Sequence, residues 1–212
     1  MKPERKLLII GASGHGKVIA DLAEQLKVYS DITFLDDDEN VTICLGYPVI
    51  GKVSEAKSYI KTHEMTVAIG NNITRGRIMN ELIGLGATLP TLIHPKAIIS
   101  PHVSFGEGSV IVAGTIINAA TSIGKGCILN TGCTVDHDNT LGDFVHISPG
   151  AHLAGGVTIG DYAWIGMGAI IKQEVLVGQN AVVGMGSVVI KEIPNNNTVV
   201  GVPARVIKVS KE

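Results

Sequence analysis

From Ile93 to Val189 every sixth residue is apolar without exception, running through Ile99, Phe105, Ile111 and Ile117 to Val177 and Val183. With 45% of the chain hydrophobic, such a run arises by chance about one time in a hundred thousand. Four residues after each of these comes another recurring slot, small or β-branched at Ala97, Val103, Thr115, Cys127, Val145, Ala163, Ala169 and Ser187. A longer period lies on top: Gly106, Gly124, Gly142, Gly160 and Gly178 recur every eighteen residues, so three hexads make one coil. Each hexad reads as a short strand and a turn, three of which close a triangle. Successive coils then stack at the ~4.8 Å spacing of a parallel sheet. The corner glycines are expected to supply the positive φ that other residues resist.

The first part of the chain has a different rhythm. Apolar strands at Leu7–Ile10, Ile32–Leu35 and Thr66–Ile69 alternate with helical stretches over Lys17–Leu26 and about Thr74–Leu85, followed by a strand near Leu89–Ile93. That alternation predicts a small α/β domain with a parallel, Rossmann-like sheet over 1–91 and a coil of hexapeptide repeats over 92–212. Bulk properties narrow the function. A net charge of -2 without a Lys/Arg cluster excludes a nucleic-acid partner. No apolar run reaches the ~18 residues of a membrane span, and Met1–Lys6 is charged rather than signal-like, so a soluble cytoplasmic protein is expected. Cys44, Cys127 and Cys133 are odd in number and form no paired motif, which predicts neither a disulfide framework nor a zinc site. Cys127 and Cys133 occupy the small core slot, so burial explains them better than nucleophilic catalysis.

A solenoid needs only its core positions to stack, so a break in the rule marks function. The densest break is Asn130-Thr131-Gly132-Cys133-Thr134-Val135-Asp136-His137-Asp138-Asn139. Asn130 and Asp136 stand where glycine is frequent, Asn139 takes a slot otherwise small or β-branched, and His146 follows. An imidazole beside a carboxylate can accept a proton near neutral pH. His137 is therefore the candidate base and Asp138 its partner; the competing reading is a solvated turn.

Upstream, Gly11-Ala12-Ser13-Gly14-His15-Gly16 lies between a strand and a helix, where backbone N–H groups can cradle a phosphate. Its GxxGxG spacing is not the dinucleotide GxGxxG, so it is weak evidence for NAD. Asp36 and Asp37 end the next strand, a place where acidic side chains meet ribose or sugar hydroxyls, and Gly70-Asn71-Asn72 end a later one. The competing reading is a tight turn followed by a solvated cap.

The hexads resemble those of the hexapeptide-repeat acyltransferases, whose fold is a left-handed parallel β-helix. More narrowly, Leu129–Asp138, Phe144-Val145-His146-Ile147-Ser148 and Val200-Gly201-Val202-Pro203-Ala204-Arg205 resemble the UDP-4-amino-sugar N-acetyltransferases of bacillosamine synthesis and the related sialic acid O-acetyltransferases. The resemblance implies acetyl transfer from acetyl-CoA without a metal, with His137 as base and Asp138 tuning it. It places acetyl-CoA at His146, Met167 and Met185, and the UDP-sugar at Ser13, Gly14, His15, Asp36, Asp37 and Gly70. It also implies a homotrimer with active sites between subunits, and the uninterrupted hexads, which leave no loop to wall off a site, agree with that. The γ-class carbonic anhydrases share the β-helix and bind zinc through three histidines, but His137, His146 and His152 are nine and six apart rather than five, so zinc chemistry is not expected. Two further readings remain open: an O-acetyltransferase of sialic acid or another surface sugar, and a non-catalytic nucleotide-sugar-binding scaffold.

Overall fold

The computed structural model describes residues 5–209, and their contacts divide the chain into two compact units, Met1–Pro95 and Lys96–Glu212. In the first, β1 (Arg5–Ile10) is the centre of a three-stranded parallel sheet, flanked by β2 (Tyr29–Leu35) and the strand Glu64–Val67. Leu7 to Ile10 are wholly buried, as expected for a central strand covered on both faces. Helix α1 (Gly14–Leu26) buries Ile19, Ala20, Leu22 and Ala23; helix α2 (Asn72–Gly84) buries Ile78, Met79 and Leu82.

Both helices start earlier than the hydrophobic pattern predicts, because their first turns are polar. α1 begins inside the glycine-rich loop, and α2 is capped by Asn71, whose side chain accepts the Thr74 N–H at 2.9 Å. The later strands also move: Thr66–Ile69 becomes Glu64–Val67, and of Leu89–Ile93 only Leu92–Ile93 pairs. A 3-10 helix at Val53–Tyr59 and a small hairpin, Ile43–Cys44 with Tyr47–Pro48, have no sequence signal strong enough to predict them. Among the described residues, no helix is long and apolar enough to cross a membrane.

The second unit is a left-handed parallel β-helix. Two-residue strands recur every six residues from Ile98–Ile99 to Val188–Val189 with no interruption. They stack into three parallel sheets, each strand pairing with the one eighteen residues away, as Thr134 does with Ile116 and His152. The second residue of each strand points inward: Ile117, Val135, Leu153 and Ile171 form one such column, none more than 2% exposed. The neck of Asn197–Gly201 and Ala204–Val209 turns the chain antiparallel and ends the stack.

The corner glycines have a different purpose from the one expected. Gly106, Gly124, Gly142, Gly160 and Gly178 have ordinary φ; a Cβ on any of them would collide with the corner of the next coil. Close stacking, not turn handedness, requires glycine there. The left-handed position lies two residues further on, at Gly108, Gly126, Phe144, Tyr162 and Asn180. A non-glycine residue there costs roughly 1–2 kcal/mol. Phe144 and Tyr162 recover part of it by stacking at 5.1 Å, a contact generally worth about 0.5–1.5 kcal/mol. The carboxylates beside the glycines tie the corners together: Asp143 accepts the Lys125 N–H at 3.0 Å, and Asp161 that of Asp143 at 2.8 Å.

Candidate active site

His137 and Asp138 stand on the corner that follows the strand Thr134–Val135. Nδ1 of His137 lies 2.6 Å from Oδ2 of Asp138, and both side chains are more than half exposed, at 61% and 65%. With the Nδ1 proton held on that carboxylate, the lone pair is on Nε2, where a proton can be received. The hydrogen bond to Asp138 raises the imidazole pKa above its ordinary value, and the charge of Asp136 adds to it. Asp136 does a separate task. Its Oδ1 accepts both Asn118 Nδ2 (2.8 Å) and the His137 N–H (2.9 Å), which holds its carboxyl below the usual range and locks the start of the turn.

The imidazole lies against Gly155, one coil further on. A Cβ built there would come within 2.6 Å of Cε1 and 2.7 Å of Nε2. Only glycine leaves room for the ring in this pose. The repeat hides this requirement, since glycine is ordinary at the corners. Asn118 lies eighteen residues before Asp136 and is its neighbour by the period, but an exposed asparagine at a corner carries no signal of its own.

His146 begins a strand on a different sheet from the strand Thr134–Val135 that leads to His137, between Ile128 and Trp164 in its column. Asn130 Oδ1 accepts the Thr131 N–H at 2.8 Å, which turns its Nδ2 toward His146 Nε2 at 3.3 Å. With Asn130 donating, Nε2 is the accepting nitrogen of this contact. Trp164, which sequence reasoning passed over, stacks on the imidazole with ring planes 17° apart and centroids 6.4 Å apart, and its Nε1 donates to Ser148 Oγ at 2.8 Å. Its signal is the spacing alone: a residue eighteen after His146 must sit directly above it, and the structure leaves this one half-exposed. Met167 and Met185 lie on successive coils of one corner column, joined by the Gly186 N–H to the Met167 carbonyl at 2.8 Å. At 58% and 79% exposed, they are not core packing.

In the first unit, the glycine-rich loop joins β1 to α1. Gly11 has φ 106°, and a Cβ on Gly16 would meet the Gly11 carbonyl, so both positions require glycine. Ser13 is the exposed N-cap of α1, with no side-chain bond to the helix. Asp36 latches the loop: Oδ2 accepts the Ala12 N–H at 2.6 Å and Oδ1 the Asp38 N–H at 2.9 Å. Asp37 accepts the Val53 N–H at 3.0 Å. Burial pushes the His15 imidazole down to about 4, assisted by the Arg75 charge, and its buried Nε2 has no hydrogen-bond partner among the described residues. The buried Arg75 donates to the carbonyls of Ile69 (3.0 Å) and Gly70 (3.3 Å) and to Asn72 Oδ1 (2.9 Å), shaping the exposed Gly70 turn.

The cysteines are all buried. Burial pushes the Cys133 thiol up to about 12, leaving it far from a reactive thiolate. Among the described residues, no three His, Cys, Asp or Glu side chains are grouped to hold a metal ion.

Residues 6–82 match the PglD N-terminal domain model, and residues 156–191 the bacterial transferase hexapeptide (six repeats) model. A curated relative, UDP-N-acetylbacillosamine N-acetyltransferase of Bacillus subtilis (strain 168), is 39% identical over 115 residues, which are 51% of this chain and 52% of that protein. The match thus spans about half the length of that relative. The acetyltransferase domain of PglB from Neisseria gonorrhoeae FA1090, solved with acetyl coenzyme A, is 45% identical with a TM-score of 0.93, covering 96% of this chain and all of that one (100%). Perosamine N-acetyltransferase from Caulobacter crescentus, solved as a histidine-to-asparagine mutant with CoA and GDP-perosamine, is 35% identical with a TM-score of 0.92, over 96% of this chain and 97% of that one. Both units take part in likenesses of that breadth, and the chain belongs to the hexapeptide-repeat sugar N-acetyltransferases that carry a PglD-type N-terminal domain.

Proposed function

We propose that this chain transfers the acetyl group of acetyl-CoA directly to the 4-amino group of a UDP-linked 4-amino-4,6-dideoxy sugar, in a step of glycan biosynthesis, with His137 as general base. The observation that carries the reading is the 2.6 Å pair of His137 and Asp138 on an exposed corner, with the imidazole seated on Gly155. The neutral amine attacks the thioester carbonyl, Nε2 receives the proton the amine sheds, and the C–S bond breaks to release CoA as a thiolate, which takes that proton back from the imidazolium. Asp138 holds Nδ1–H and stabilises the imidazolium that forms. The buried, high-pKa Cys133 supports direct transfer over an acyl-cysteine.

His146, Met167 and Met185 bind acetyl-CoA: the first offers a polar contact, and the methionines an exposed, polarizable column for an extended chain. Ser13, Gly14, His15, Asp36, Asp37 and Gly70 hold the nucleotide sugar, with the N-terminus of α1 favouring its phosphates. The protein works as a homotrimer whose active sites lie between subunits; the unbroken hexads, with no loop to enclose His137, support this. The place of work is the cytoplasm, where acetyl-CoA and nucleotide sugars are both at hand.

The test is thiol release from acetyl-CoA with UDP-linked and GDP-linked 4-amino sugars and with free and CMP-linked sialic acids. Turnover on a UDP-4-amino sugar that vanishes with His137→Ala is the expected result. Preference for a GDP-linked sugar would move the nucleotide, as the GDP-perosamine complex of the Caulobacter relative suggests. Turnover only with sialic acids would move the acceptor to a hydroxyl, and none with any acceptor would favour a binding scaffold. Sedimentation equilibrium at three times the protomer mass is expected; a monomer with full activity would overturn the shared site.

A further inference from the structure

Asn139 occupies the inward slot that is filled by Cys127, Cys133, Val145, Ala151 and Val157 in neighbouring hexads, and it is only 1% exposed. A buried primary amide among such residues must place every hydrogen bond it can make. The two N–H bonds of Nδ2 are shared among the carbonyls of Asp136 (2.7 Å), His137 (3.2 Å) and Ala154 (3.0 Å), one of them bifurcated, and Oδ1 accepts the Val157 N–H at 3.1 Å.

Two of these four bonds are generic to the coil. Ser109 in the same kind of slot donates to the Gly124 carbonyl fifteen residues on (2.9 Å) and accepts the Cys127 N–H eighteen residues on (3.0 Å). Thr121 does the same toward the Asp136 carbonyl (2.9 Å) and the Asn139 N–H (3.4 Å). The bonds of Asn139 to Ala154 and Val157 repeat that spacing. Those to Asp136 and His137 do not; they reach into the residue's own corner, which a hydroxyl side chain is too short to do. They grip the carbonyls of the two peptides that flank the His137 Cα. Ala154 and Val157, which the same side chain also holds, bracket Gly155, the seat of the imidazole.

We propose that Asn139 is a positioning residue for His137: one amide spans both coils and sets the height of the imidazole over Gly155. The proposal rests on His137 being the base. Asn139→Ser separates it from a merely structural role, because a serine there keeps the two generic inter-coil bonds, as Ser109 does, and loses the two to the turn. Expected is a melting temperature close to the parent's, an unchanged KM for acetyl-CoA, and kcat lowered ~10- to 100-fold. The acid limb of the kcat–pH profile, and the His137 titration followed by NMR, should shift with it. Parental kcat and an unmoved His137 titration in Asn139→Ser would overturn the proposal. So would loss of folding, since the bonds to the turn would then be holding the coil itself. If His137→Ala keeps its turnover, the reading of His137 as base fails instead; if His137→Ala is dead while Asn139→Ser is normal, only the role of Asn139 fails.

Discussion

Two histidines on two turns make opposite use of the same side chain. His15 sits in the first turn of α1, where burial and the Arg75 charge push it down to about 4, so it is neutral throughout the physiological range. His137 stands out from a coil corner, where a carboxylate at 2.6 Å raises its pKa above the ordinary value. The first is suited to a fixed hydrogen bond and the second to proton exchange. Position relative to water, more than neighbours in sequence, separates them: both follow a strand and both stand in glycine-bearing surroundings. The coil corner leaves the His137 ring in water, whereas the first turn of α1 takes the His15 Nε2 out of it.

The largest expected effect tests the proton-exchanging half of that contrast. His137→Ala should lower kcat ~10²- to 10⁴-fold with the circular dichroism spectrum and melting temperature retained, since it removes a base and no core atom. Loss of folding would make His137 structural. Next, Gly155→Ala should push the imidazole off its seat and lower kcat ~10- to 100-fold, with little change in stability because the ring can swing into solvent. A normal kcat there would mean the ring works in another pose.

Binding residues come lower. His146→Ala should raise the KM for acetyl-CoA roughly tenfold, the equivalent of one lost hydrogen bond of about 1.4 kcal/mol, with a smaller change in kcat. An unchanged KM removes His146 from that site.

The pH dependences are the subtlest and the most diagnostic. A base must be neutral to act, so activity should be lost as pH falls through the raised pKa of His137; in Asp138→Asn that limb should move to lower pH because the raising partner is gone. His15 acts on stability with its own sign. Its folded pKa of about 4 lies below the ordinary imidazole value of 6.5, so the unfolded chain binds the proton more readily in between, and stability should fall as pH drops across that window. Urea melts at pH 7 and pH 5 measure this, and His15→Gln should flatten the difference. NMR titration of the parent should find the two imidazoles on opposite sides of the usual value; coincident titrations would end the comparison.

Legibility in the sequence differed between the two units for a physical reason. In the coil, a position eighteen residues on is a neighbour in space, so stacking of Met167 on Met185, of Trp164 on His146 and of Gly155 under His137 is arithmetic once the period is known. Even so, residue type does not mark Trp164 and Gly155, because a tryptophan and a corner glycine also fit bland roles. In the α/β unit no such arithmetic exists. That Asp36 closes on Ala12 and Arg75 on Gly70 depends on how strands and helices pack, and nothing in their spacing says so.

The apolar hexads, the alternation of strand and helix before them, and the oddity of Asp136–Asn139 are determined by the sequence alone, because each is a local or periodic property of residue type. Tertiary structure decided what the sequence misassigned or left open. The eighteen-residue glycines are required by the closeness of the next coil rather than by their own φ, and the left-handed slot falls instead on Phe144, Tyr162 and Asn180. The buried amide of Asn139 chose its four partners from two coils at once. Burial and coil-to-coil approach are properties of the folded surface, and a hydrogen bond or a pKa that depends on them exists only after the coils have stacked.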